Sequence, residues 1–155
     1  MKLLSACLCG INCKYNGKNN LNLYFVNLLK KGDAIPVCPE QLGGLTTPRL
    51  PAEINSGSGQ DVLAGNSKVL NKKGDNVTDN YIRGAYETLK IAQLAGVDTA
   101  ILMSRSPSCG SGSIYDGSFS YKLRQADGVT AALLKENGIR VIDEEEYMEK
   151  GECLD

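Results

Sequence analysis

The chain has 155 residues, 42% apolar and 23% charged, with a net charge of -1 and no histidine. That length suits one domain whose core needs no disulfide or metal staples. The near-neutral balance leaves no electrostatic footprint for a nucleic acid or an anionic membrane, and the apolar runs are too short to span a bilayer. The opening MKLLSACLC begins like an export signal, but polar Asn12, Lys14 and Asn16 follow at once, so the expected location is the cytoplasm.

Lys2 to Ala6 is a short apolar run of the buried-strand type. Leu21 to Lys31 carries Phe25, Leu28 and Leu29 at helical spacing and stops at Gly32. Ala34 to Val37 reads as a second strand. Pro48 to Gln60, rich in Pro, Gly and Ser, is expected to be irregular. Val62 to Val77 is expected to hold two short extended pieces around a Lys73-Gly74-Asp75 turn. Thr78 or Asp79 can cap a helix whose Ile82, Ala85, Leu89 and Ala92 share one face, ending at Gly96. Thr99 to Met103 is a third buried strand. Ser104 to Phe119, SRSPSCGSGSIYDGSF, reads as an open, flexible loop. Asp127 is placed to cap a helix through Leu133 and Leu134 to Gly138, and Ile139 to Ile142 is the last strand. The acidic run Asp143 to Glu146 reads as a solvated helix start.

Alternating strands and helices predict a single α/β domain over residues 1–155, with a mostly parallel sheet flanked by helices. Such sheets bind ligands at the carboxyl ends of their strands. Cys7 ends the first strand, Cys38 ends the second, and Cys109 lies in the loop after the third, so all three are expected at one sheet edge.

Six cysteines in a chain without histidine leave several chemistries open. Structural zinc favours closely paired C-x2-C ligands; this chain has only C-x-C at Cys7 and Cys9, and C-x3-C at Cys9 and Cys13. A cysteine nucleophile commonly needs a histidine base, which is absent. An iron–sulfur cluster held by three cysteines would leave one iron without a protein ligand, and buried inert thiols are the plain alternative. Cys153, close to the C-terminus, is expected to be incidental.

The blocks SACLCGINCKYNG (Ser5 to Gly17), PVCPEQLGGLTTPRLPAEI (Pro36 to Ile54) and SRSPSCGSGSIYDGSF together resemble the DUF523 family, which includes the thiouracil desulfidases. The resemblance runs over nearly the whole chain. It implies a [4Fe-4S] cluster held by Cys7, Cys38 and Cys109, with Glu40 and Ser106 assisting catalysis at the open iron. The implied reaction is non-redox removal of sulfur from a thiolated nucleobase or nucleoside. Cys9 departs from the family pattern, and Cys9 and Cys13 both remain candidates for the cluster's surroundings. The rival expectation is a zinc- or cluster-binding sensor or structural module without catalysis.

Glu40, partly shielded beside a cluster, is expected to trade protons near neutrality. Ser106 precedes Pro107, which biases its backbone toward extended conformations and fixes its hydroxyl direction. Ser104 and Ser108 are its alternates. Arg49 and Arg105 flank the site with forked donors suited to a substrate carbonyl or phosphate, and Tyr115 is placed to stack on a flat heterocycle. Glu53 is expected to hold a loop through backbone amides and not to be catalytic.

Overall fold

A computed structural model describes residues 1–150 of the chain; Cys153 lies outside the described residues. Four parallel strands make the central sheet: β1 (Lys2–Ser5), β2 (Ala34–Val37), β5 (Thr99–Leu102) and β8 (Arg140–Asp143). Their spatial order is β2-β1-β5-β8. The helices are α1 (Leu23–Lys30), α2 (Pro39–Leu42), α3 (Gly59–Leu63), α4 (Thr78–Leu94), α5 (Val129–Glu136) and α6 (Glu144–Lys150). Two small antiparallel pairs complete the fold, β3 (Ala52–Ile54) with β4 (Val69–Asn71) and β6 (Ile114–Tyr115) with β7 (Leu123–Arg124). Among the described residues no helix is long and apolar enough to cross a membrane.

The strands are apolar on both faces because helices cover both. Successive side chains alternate across the sheet. Leu3, Ala100 and Leu102 enter one core with Ala85, Leu89 and Leu134, beneath α4 and α5. Leu4, Ile101 and Ile142 enter the other with Phe25 and Tyr147, beneath α1 and α6. From β1 the chain moves outward to β2, then returns past β1 to β5. The reversal leaves a crevice at the carboxyl ends of β1, β2 and β5, where ligands bind in sheets of this kind.

Several expectations need correction. Neither Thr78 nor Asp79 caps α4, whose N-cap is Val77 without a side-chain bond. The Pro48 to Gln60 stretch is not wholly irregular: Ala52–Ile54 pairs with Val69–Asn71, because Glu53, Ile54 and Val69 all find buried places. Asp127 does not cap α5, whose N-cap is Gly128. Its carboxylate instead accepts Gly112 N (2.8 Å), Lys135 Nζ (2.7 Å) and Gln60 Nε2 (3.2 Å), tying three segments together. The acidic run does open helix α6, but Glu144 is not solvated: it turns inward and accepts the backbone N–H (2.7 Å) and hydroxyl (2.8 Å) of Ser104.

Helix α4 carries one position that fixes its neighbour. A Cβ on Gly84 would stand 1.9 Å from the Pro39 carbonyl oxygen, so only glycine lets α2 lie this close. Pro39 stands between Cys38 and Glu40, so the contact bears on both.

Candidate functional site

Each predicted ligand sits where a strand ends. Cys7 lies in the 3-10 turn Ala6–Cys9 that follows β1, and the chain folds back so that Asn20 N donates to its carbonyl at 2.9 Å. Cys38 is the N-cap residue of α2, with Pro39 opening the helix. Cys109 lies beyond β5, and its loop is neither exposed nor loose. Ser106 Oγ accepts the N–H groups of Ser108 and Cys109, both at 3.1 Å. The loop then docks on the start of α5, where Val129 N and Thr130 N donate to the Pro107 and Ser108 carbonyls at 2.8 and 2.9 Å. A Cβ on Gly110 would meet two carbonyl oxygens at 2.7 Å, which explains the glycine after the cysteine. Cys109 is therefore buried, at 6% exposure.

These residues border one cleft of about 330 Å3. Cys7, Cys13, Cys38 and Cys109 line it together with Glu40 and Ser106. Cys9 does not; its thiol turns toward the Phe25 carbonyl under the sheet. Of the open pair in the first loop, Cys13 is the one brought to the cleft. Cys38 Sγ donates to the Cys13 carbonyl at 3.7 Å. The Cys13 thiol makes hydrogen bonds with those of Cys38 and Cys7.

The electrostatics of this group are those of thiols crowded without a cation. Burial pushes the Cys109 thiol up to about 12, with Cys38 and Glu40 adding to the effect. Cys38 is pushed up by its hydrogen bond to Cys13 and then by burial. For Cys13 the Cys38 bond pulls down, but the Cys7 bond, burial and the Cys7 charge outweigh it and carry the thiol up to about 11. A bound cation inverts this logic, since thiolates that repel one another bind it together. Among the described residues no three His, Cys, Asp or Glu side chains converge as a site for a metal ion.

Glu40 is held more firmly than the sequence suggested. Arg49 Nε donates to Glu40 Oε2 at 2.7 Å, and the ion pair closes at 2.5 Å through Nη2. Tyr81, buried on α4, hydrogen-bonds to the same carboxylate; burial and the Glu40 charge push its phenol well up. Arg49 is fully committed, since it also donates to the carbonyls of Cys13 (2.9 Å) and Thr46 (3.2 Å) and to Thr47 Oγ1 (3.0 Å).

The remaining candidates separate cleanly. Ser104 and Tyr115 line the cleft, Ser104 with its hydroxyl given to Glu144. Ser108 and Arg105 do not. Ser108 is buried against Thr130 Oγ1 at 2.9 Å and reaches the Cys109 sulfur, while Arg105 forms a half-exposed pair with Glu145 at 2.9 Å. Glu53 holds a loop through Gly117 N and Phe119 N, as expected. Sequence reasoning missed Ser5 and Tyr81. Ser5 accepts Met103 N at 2.9 Å and hydrogen-bonds to Cys109; its place one strand residue before the Cys7 turn was the available signal. Tyr81 lies one turn before Ala85 on the buried face of α4, where a tyrosine reads simply as packing.

The family model of the 2-thiouracil desulfurases matches residues 3–146. The chain belongs to that family. The DUF523 resemblance seen in the three sequence blocks is thereby borne out. A relative, the uncharacterized protein YbbK of Bacillus subtilis (strain 168), is 49% identical over 146 residues, covering 94% of this chain and 97% of that one. A solved structure, the [4Fe-4S]-dependent thiouracil desulfidase TudS, superposes with a TM-score of 0.85 at 36% identity, over 98% of this chain and 95% of that one. The α/β architecture is thus that of a desulfidase of the same family.

Proposed function

We propose that this protein is a [4Fe-4S]-dependent desulfidase that converts a thiolated pyrimidine base or nucleoside and water into the carbonyl compound and hydrogen sulfide. The carrying observation is the convergence of Cys7, Cys38 and Cys109 with Glu40 on one cleft, in a chain that shares its fold with a [4Fe-4S]-dependent thiouracil desulfidase. The donor set fits such a cluster. Soft thiols without imidazole suit iron–sulfur centres. A single ion needs all its sulfurs within about 2.3 Å, whereas a cluster takes one thiolate per iron and spans a wider cleft. Cys7, Cys38 and Cys109 would hold it, and when bound it supplies an iron without a protein ligand as a soft Lewis acid for the thiocarbonyl sulfur.

The chain's own groups account for the proton traffic. Glu40 lines the cleft with one oxygen taken by Arg49, so its carboxylate is aimed and cannot swing away. It takes a proton from the attacking water as the oxygen adds to the thiolated carbon. Ser106 accepts two backbone amides and so keeps its hydroxyl proton for donation to the ring or to the departing sulfur. No electrons change hands, since sulfur enters and leaves at the sulfide level. Ser5 and Ser108 hydroxyls support the Cys109 sulfur, as hydrogen bonds to ligand sulfurs do in clusters generally.

Anaerobic preparation with iron, labile sulfide and zinc analysis, followed by sulfide release from a panel of thiopyrimidines, tests this reading. About four iron and four sulfide per chain with sulfide release is expected. One zinc per chain without release would instead favour the sensor or structural module.

A further inference from the structure

The cleft holds a second carboxylate that the reaction above leaves without a task. Glu53, on β3, is 8% exposed and lines the cleft. Its Oε1 accepts Gly117 N at 2.9 Å and Phe119 N at 3.1 Å. Among the described residues no donor is recorded on Oε2, and Glu53 joins no ion pair, although Lys72 borders the same cleft. A carboxylate offers about four lone-pair sites, and one whose second oxygen is left open in a cleft is a ready acceptor. The tip that Glu53 holds is aromatic. Phe119 and Tyr121 border the cleft, Tyr121 standing edge-on to Tyr115 with ring centres 6.4 Å apart. Both tip residues have positive φ, 57° and 62°, a conformation that side chains resist, and the Glu53 bond to Phe119 N helps to maintain the first.

We infer that Glu53 determines ring specificity: its second oxygen accepts the N3–H of a thiolated pyrimidine while its first holds the aromatic tip beside that ring. This rests on the desulfidase reading and adds how the substrate is chosen. N3 lies between C2 and C4, so it adjoins the sulfur-bearing carbon in both 2-thio and 4-thio isomers. It carries hydrogen in the thione form, and it stays free when N1 bears a sugar. A site that reads N3–H therefore accepts bases and nucleosides alike and turns away cytosine-type rings, whose N3 is an acceptor. Rejection of a ligand that leaves a shielded polar group unpaired is the strong form of specificity.

The test is calorimetric binding of uracil, 1-methyluracil, 3-methyluracil and cytosine to the anaerobically prepared protein, as wild type, Glu53→Ala and Glu53→Gln. Wild type should bind uracil and 1-methyluracil at least about tenfold more tightly than 3-methyluracil. In Glu53→Gln the side-chain carbonyl can keep the two tip amides while the amide NH2 faces the ring. That variant should lose about tenfold for uracil and gain for cytosine. Glu53→Ala, which also frees the aromatic tip, should lose affinity for all four rings, and more for uracil and 1-methyluracil than for 3-methyluracil. Equal wild-type affinity for uracil and 3-methyluracil would overturn the assignment, as would a uniform loss across all four rings in Glu53→Gln. Sulfide release by wild type is scored separately. Ring discrimination without sulfide release sinks the reaction and keeps the Glu53 assignment; release without discrimination does the reverse.

Discussion

Arg49 and Glu40 form an ion pair closed at 2.5 Å, with side chains only 8% and 15% exposed, and the same guanidinium reaches the Cys13 carbonyl at 2.9 Å. One cation thus joins the cleft carboxylate to the loop bearing a cleft thiol. Breaking a shielded pair strands the partner's charge and costs about 3–5 kcal/mol. Arg49→Met should lower stability to urea by about 3 kcal/mol and remove most sulfide release. Arg49→Lys keeps the charge but not the fork and should fall between. Wild-type stability in Arg49→Met would refute the positioning role.

Ser106 is predicted to have a double role, structural through its oxygen and chemical through its proton. Ser106→Ala should cost about 1 kcal/mol of stability, as lost caps do, and about a hundredfold in turnover, as lost proton donors do. Ser106→Thr, which keeps the hydroxyl, should recover most of both. If turnover in the alanine variant falls no further than its stability loss explains, the hydroxyl takes no part in chemistry.

The Gly84 contact gives a prediction remote from the cleft floor. In Gly84→Ala the new methyl collides with the Pro39 carbonyl at 1.9 Å. Backbone cannot yield cheaply, so a loss of about 3 kcal/mol is expected. The displaced helix carries Cys38 and Glu40 with it, and iron retention after anaerobic reconstitution should fall as well. A variant that is destabilised yet retains full iron would show that α2 moves without moving the ligand.

Alkaline pH should weaken the cluster-free protein. Cys13 and Cys109 are pushed up to about 11 and about 12 in the folded chain, against an unperturbed thiol near 8.5. A raised folded value means stability is complete below the unfolded value and is lost as pH climbs through the folded one. Urea unfolding of the reduced, cluster-free protein should show falling stability from about pH 9 upward. Cys109→Ala should flatten that decline. A flat profile in the wild type would show that the thiols are not crowded as described.

Much of this was legible because it is local. The cysteine blocks carry their own turn chemistry, and strand ends place them whatever the rest of the chain does. The amide-holding task of Glu53 was expected too, but the amides it holds, on Gly117 and Phe119, belong to a distant segment that the sequence did not indicate. What escaped depends on distant partners. The Arg49–Glu40 pair escaped because nothing in the sequence reveals that the two, nine residues apart, lie within 2.7 Å of each other. Glu144 looked solvated because its partner Ser104 is forty residues away. Asp127 looked like a cap because its competing donors, Gln60, Gly112 and Lys135, come from three separate segments.

The reversal of strand order beside β1 has a consequence for biogenesis. The groups around the crevice come from the turn after β1, the start of α2, the segment leading into β3 and the loop after β5, and nothing in the sequence brings them near until the sheet has closed. An inorganic centre held by Cys7, Cys38 and Cys109 would therefore meet its full donor set only in the finished fold. A ribosome-bound fragment ending before β5 would display three of the four cleft thiols, Cys7, Cys13 and Cys38, and lack Cys109.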